Sequence, residues 1–76
     1  MKELIEFIAK NIADNPDEVR VEEEEGEDGR IIFKLIVAED DKGKVIGREG
    51  RVAQAMRTLL RVAAVKRGAR ATLEIV

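Results

Sequence analysis

Two glycines three residues apart, Gly47 and Gly50 in Val45-Ile46-Gly47-Arg48-Glu49-Gly50-Arg51, constrain this chain more than any other stretch. Glycine pairs of this kind serve where backbone must turn left-handed or approach another group, because a Cβ would obstruct both. A lysine-rich turn, Lys42-Gly43-Lys44, precedes them, and a long amphipathic segment from Arg51 to about Arg67 follows at once. A helix that starts from such a loop presents unpaired backbone N–H groups and the positive end of its dipole, which together seat a phosphate. Arg48 and Arg51 place cations at the same point. The loop is therefore expected to grip a nucleic-acid backbone.

The residue types that are missing narrow the chemistry. The chain has no His, Cys, Ser, Tyr or Trp. Histidine bases, serine and cysteine nucleophiles and His/Cys metal sites are thereby excluded. Carboxylates, lysines and two threonines remain, with nothing placed to activate them. A non-enzyme is expected, with no cofactor, metal or small-molecule substrate. The 76 residues, 1–76, form one small domain, of a size that buries only about 60% of its unfolded surface. No apolar run is long enough to cross a membrane, and Met1-Lys2-Glu3-Leu4 does not open a signal peptide, so a cytoplasmic location is expected.

Net charge is only −2, but its distribution is uneven. Residues 1–41 carry 14 acidic and 5 basic side chains, whereas residues 42–76 carry 2 acidic and 9 basic. A polar molecule with one basic surface follows, and the basic half coincides with the glycine loop.

Hydrophobic spacing orders the elements. Residues 2–13 read as a helix, with Leu4, Ile5, Phe7, Ile8 and Ile12 assigned to its buried side. Asn15-Pro16 ends it, since proline disfavours helical backbone in the preceding residue. Glu18 to about Glu25 reads as a short strand with Val19 and Val21 inward. Gly26–Gly29 forms a turn, and Arg30 to Ala38 a second strand with Ile31, Phe33, Leu35 and Val37 inward. The acidic run Glu22–Glu25 with Glu27 and Asp28 reads as a solvated hairpin tip that keeps a sheet edge from pairing; the functional alternative is that it repels phosphate and orients a bound strand. Ile32 and Ile36 on the opposite face are a partner-binding surface only if exposed and contiguous with other apolar groups.

Asp40 or Asp41 is placed to cap a short helix ending at Ile46. In the following helix Val52, Ala55, Met56, Leu59, Leu60 and Ala63 form the expected buried stripe, with Gln54, Arg57, Thr58 and Arg61 opposite. Gly68 suits the helix end, and Arg70–Val76 closes the fold as a strand with Ala71, Leu73 and Ile75 inward. The element order is αββααβ.

A GxxG between helices is by itself also a tight helix–helix turn. It is neither a P-loop, since Arg51-Val52 follows Gly50, nor a Rossmann fingerprint, since no glycine stands two before Gly47. The wider context, Val45-Ile46-Gly47-x-x-Gly50 with a capped helix before it and a basic helix after it, resembles a KH domain, whose loop clamps a four-nucleotide backbone. Helix and hairpin first and a single strand last resemble the type II arrangement: an α+β fold, three-stranded, with helices packed on one face. Asp14-Asn15-Pro16-Asp17-Glu18-Val19, Gly43-Lys44-Val45-Ile46-Gly47 and Arg57-Thr58-Leu59-Leu60 are similar to the small bacterial single-KH RNA-binding proteins of the KhpA family. The Gly47–Arg51 run also resembles the KH segment of ribonuclease Y.

The resemblance implies single-stranded RNA as partner, a role as RNA chaperone or post-transcriptional regulator, and a homodimer or pairing with a second KH protein of the KhpB/Jag type. It places Lys42, Lys44, Arg48 and Arg51 against phosphates, with Gly47, Glu49 and Gly50 completing the loop. Val45, Ile46, Val52 and Ala55 would floor an aliphatic groove, with the edge of the second strand opposite. An aromatic stacking platform is not available, since Phe7 and Phe33 are both assigned to the core. Glu49 departs from the basic–neutral loop pair of many members, and weakens phosphate binding unless it points away or pairs with Arg51. Two rivals stand beside this reading: a dimerisation module with a vestigial GxxG loop, and a helix-turn-helix DNA reader. The latter fits poorly, because aliphatics stand where base-reading polar side chains belong.

Overall fold

A computed structural model describes residues 1–76. Helix α1 (Lys2–Ile12) forms around Ile5, Ala9 and Ile12, which recur at helical spacing and face the sheet, with Met1 and Ile8 packed beside them. Phe7, assigned above to the core, is instead 68% exposed. At ~100° per residue it lies about 160° round the helix from Ile5, so turning Ile5 and Ala9 inward sends the phenyl ring to solvent. After α1, Pro16–Glu18 make one 3₁₀ turn, which delays the first strand to Arg20 while leaving Val19 buried.

Strands β1 (Arg20–Glu25) and β2 (Ile31–Ile36) pair antiparallel, with Val21 opposite Leu35. The final strand, β3 (Ala71–Ile75), joins β2 in parallel, with Phe33 opposite Leu73. The order β1-β2-β3 makes a three-stranded mixed sheet. Period-two alternation turns Val21, Phe33, Leu35 and Leu73 to one face, where they form a single core with Ile5, Ala9, Val45, Met56 and Leu60 from the helices. The α+β arrangement with helices on one face is therefore as expected. On the other face Ile32 and Ile36 are half-buried and separated by Lys34, whose Nζ lies 3.1 Å from Glu24 Oε1. That hydrogen bond, with the Glu24 charge, holds the Lys34 pKa above its ordinary value. No contiguous apolar patch results there.

The short helix α2 (Lys42–Ile46) and the long α3 (Arg51–Lys66) complete the layer. The buried stripe of α3 is Ala53, Met56, Leu60 and Ala64, not the set centred on Val52 and Leu59; Val52 and Ala63 are half-buried, and Ala55 and Leu59 are exposed. The helix is thus rotated by roughly 75°, most of one residue step. Small Ala53 and Ala64 let it lie close to its neighbours, and the branched side chains take the flank.

Asp41 is the only buried polar residue, and it does not cap its helix. Its carboxylate accepts hydrogen bonds from the Asp14 N–H (3.0 Å), the Asn15 N–H (3.0 Å) and Asn15 Nδ2 (3.1 Å). Lys44 Nζ closes the arrangement by pairing with the Asp14 carboxylate. A buried carboxylate is tolerated only when its lone pairs are satisfied in this way. The Asp14 N–H bond, against the opposing effect of burial and with further help from Asn15 and Lys44, holds the Asp41 pKa below the usual carboxylate value.

Replacing Asp41 with alanine leaves the Asp14 and Asn15 donors unpaired, and should lower Tm on the order of 10 °C. Because the folded-state pKa is depressed, the ionised carboxylate stabilises the fold fully above its unfolded pKa, about 3.9, and loses that effect as pH falls below it. The Tm gap between wild type and Asp41→Asn should therefore be constant above about pH 5 and shrink towards pH 3, as followed by circular dichroism. A gap that widens on acidification would contradict the assignment.

Candidate nucleic-acid interface

The glycine loop, Arg48–Gly50, is a tight non-helical turn between α2 and α3, closed by hydrogen bonds from the Gly50 N–H to the Gly47 carbonyl (3.1 Å) and from the Arg51 N–H to the Arg48 carbonyl. Gly47 has φ 79° and ψ 174°, a region only glycine occupies without strain. A Cβ there would also stand 2.5 Å from Val52 Cγ2 and 2.9 Å from the Val52 N. Val52, half-buried, therefore packs directly on the loop's first glycine. Glu49 (φ 57°) and Gly50 (φ 75°) are both left-handed, the former at a cost that a non-glycine residue bears. No side chain caps the start of α3. Of its first-turn N–H groups, that of Arg51 already bonds the Arg48 carbonyl, and those that follow have no side-chain cap.

The cations assigned to this loop differ in how free they are. Lys42 Nζ is 3.1 Å from Glu39, and Lys44 is held by Asp14, whose hydrogen bond raises the Lys44 pKa above its ordinary value. Arg51 lies 3.8 Å from Glu49, one of the two arrangements expected for that carboxylate, and both side chains are exposed. Arg48 is exposed and makes no ion pair. Among the groove residues, Ile46 is 40% exposed at the end of α2, whereas Val45 is fully buried. The expectation of Val45 at a groove surface is corrected: its side chain supports the loop from the core. Ala55 is exposed on the flank of α3.

The strand opposite the helix is not the second one. Because β2 is paired on both sides, the free edge beside α3 belongs to β3. Between them runs a cleft of about 260 Å³ lined by Gln54, Arg57, Thr58 and Arg61 of α3 and Ala71, Thr72 and Leu73 of β3. Arg57 Nε reaches across to the Leu73 carbonyl at 3.4 Å, over the strand's open edge. Neither Arg57 nor Arg61 has a carboxylate partner. The four polar residues of α3, expected opposite its buried stripe, are exposed and line this cleft. Their i, i+3, i+4, i+7 spacing, with two arginines, was the available signal; that they face a strand edge depends on where β3 docks.

The sheet order also sorts charge. Glu22–Glu25 run along β1, at one edge, and the α3–β3 cleft lies at the other. The imbalance between the two halves of the sequence thus becomes a separation in space.

Loop geometry yields a paired expectation. Gly47→Ala combines a glycine-only conformation with a collision against Val52, and should cost at least about 2 kcal/mol. Gly50→Ala meets no atom within 4 Å, and should cost only about 1 kcal/mol for its left-handed backbone. Urea denaturation of both variants checks the order; equal losses would mean that Val52 moves aside freely.

Comparison with known proteins agrees with this architecture. The family described as KhpA/KhpB, KH domain, matches residues 2–75. The chain is 53% identical over 76 residues, the whole of both chains, to a protein of Clostridium acetobutylicum named RNA-binding protein KhpA. It is 51% identical over 76 residues, again the whole of both, to the protein of that name from Caldanaerobacter subterraneus subsp. tengcongensis. Its namesake in Borreliella burgdorferi is 51% identical over 73 residues, covering 96% of this chain and 88% of the relative.

Proposed function

The chain belongs to the KhpA/KhpB family of KH domains, and on that premise we propose that it binds single-stranded RNA, holding the backbone at the Gly47–Gly50 loop. The relatives are named for RNA binding and not for a reaction, in keeping with a protein that is not an enzyme. The observation that carries the proposal is the meeting of an uncapped helix start, an unpaired Arg48 and a cleft lined by unpaired arginines along a single helix. Bases would lie in the cleft against α3 and the β3 edge, with phosphates towards the loop. A single small module offers a short binding surface, so a second copy, or a second KH protein of the KhpB/Jag type, would raise affinity through avidity. An RNA chaperone or post-transcriptional regulator is the role such binding suits.

A specific observation also favours the interaction-module reading. Leu59 and Val62 are 48% and 50% exposed on the flank of α3 that does not line the cleft, with Ala55 beside them. This apolar flank would seat the second copy without covering the arginines, so the two readings are compatible.

Two substitutions separate them. Exchanging Arg48 and Glu49 together for aspartates keeps both glycines while leaving two anions at the loop. Like charges a few ångströms apart at a surface cost about 1–4 kcal/mol, and each 1.4 kcal/mol is tenfold in affinity. RNA gel shift should show a loss of tenfold or more, while analytical ultracentrifugation shows unchanged association. Undiminished RNA binding by the folded variant would remove the loop from the site. Glu49→Gln, by contrast, frees Arg51 from its exposed partner and should tighten binding by about twofold, the scale of a surface ion pair near 0.5 kcal/mol. Weaker binding would mean that the carboxylate orders Arg51 or contacts the RNA.

A further inference from the structure

The cleft does not end at Arg61. A second hollow continues from it, lined by Arg30, Arg61, Ala64, Val65, Ala69 and Arg70, with Arg61, Ala71 and Thr72 common to both. Its shape is fixed by backbone. The Gly68 N–H bonds the Val65 carbonyl and the Ala69 N–H bonds the Ala64 carbonyl, a Schellman ending that reverses the chain from α3 into β3. The Ile31 N–H then bonds the Arg70 carbonyl at 2.9 Å, which sets Arg70 beside Arg30 at the starts of two parallel strands. Arg30, Arg61 and Arg70 are all exposed, and none is in an ion pair.

That freedom contrasts with the loop, where three of the four expected cations are already engaged by carboxylates. The acids nearest Arg30 are Glu27 and Asp28 of the turn that its carbonyl closes by accepting from the Gly26 N–H, and Glu25, which pairs with Ile31; none of them makes an ion pair with an arginine of this hollow. From Arg51 to Ala64 the helix rises about 20 Å, so a strand whose first nucleotides are held at the loop must continue along the helix to reach its far end.

We propose that Arg30, Arg61 and Arg70 form a second phosphate seat at the far end of the α3–β3 cleft, engaging the backbone of the same RNA beyond the nucleotides held at the loop. The seat rests on the RNA-binding reading and extends it: the protein selects strands long enough to span both ends. Arginine suits the task, since its planar fork of donors matches phosphate oxygens. Most of the salt dependence of binding then arises in the cleft and its far end rather than at the loop.

The test pairs Arg30→Gln/Arg70→Gln with two oligouridylates, one of four nucleotides and one of about ten. Glutamine keeps much of each stem, and both side chains are exposed, so the fold should persist, as a thermal melt would verify. By fluorescence anisotropy the double variant should bind the longer strand on the order of tenfold more weakly. Its slope of log K against log[salt] should flatten by about 1.4, at roughly 0.7 for each phosphate that is no longer neutralised. Binding of the short strand should change less than about twofold. In amide NMR titrations of the wild type, the short strand should shift the loop and the adjoining part of the cleft but leave residues 69–70 unmoved, and the longer one should shift residues 69–70 as well. Unchanged affinity and slope for the longer strand would overturn the seat while leaving RNA binding intact. Equal losses for both strands would also overturn it, reducing the arginines to a general field. If the wild type bound neither strand, the RNA reading and the seat would fall together.

Discussion

One buried carboxylate sets the frame. Asp41 has three donors from Asp14 and Asn15, and through them the chain leaving α1 is tied to the chain entering α2. These segments are 26 and 27 residues apart, with the whole β-hairpin between them. The carboxylate cannot leave its position without stranding its charge or its donors, so the start of α2 is held on one side of the hairpin. With α2 only five residues long, holding its start also holds its end, where Gly47 begins the loop. The Lys44–Asp14 pair repeats the tie at the surface, where it is worth less. In a domain with only 14 buried residues, such a polar clasp does what a larger core would otherwise do.

The second constraint is steric and lies at the other end of α2. Val52 fills the space that a side chain at Gly47 would need. Loop and α3 are therefore one packed unit, in which the direction of the helix depends on a missing Cβ. The left-handed Glu49 shows that the turn is imposed by its flanks, since this residue has no intrinsic preference for that backbone. A loop held in this way keeps its shape before any ligand arrives, which reduces the ordering cost of binding.

Much of this was legible in the residues, and what was not has physical causes. The αββααβ order followed from spacing and from Pro16, Gly26 and Gly68, because turn and helix-end chemistry is local. The role of Asp41 was not legible, since an aspartate before a helix ordinarily caps it and its actual partners are remote in sequence. The facing of α3 was obscured because apolar residues surround much of that helix: Ala53 and Ala64 compete with Leu59 and Val62, and packing, not size, decided between them. Phe7 misled for the same reason, since a large apolar residue is no guarantee of burial. The strand opposite the cleft required the sheet order, which is a property of the assembled fold.

Geometry and charge are thus divided between the two ends of α3. At its N-terminus the loop supplies oriented N–H groups, while its own cations are largely balanced by Glu39, Asp14 and Glu49. Towards its C-terminus the arginines are unbalanced, and the acidic strand stands across the sheet. An unbalanced patch attracts a polyanion from a distance that grows as salt is lowered, whereas short hydrogen bonds at a rigid loop act only after the two have met. On the RNA-binding reading the order of events follows from this division. A strand is drawn first along the arginines, and its backbone is then fitted at Gly47–Gly50. With no aromatic side chain lining the cleft, nothing there rewards base identity strongly, so on that reading selectivity rests on length and on the base edges met by Gln54, Thr58 and Thr72.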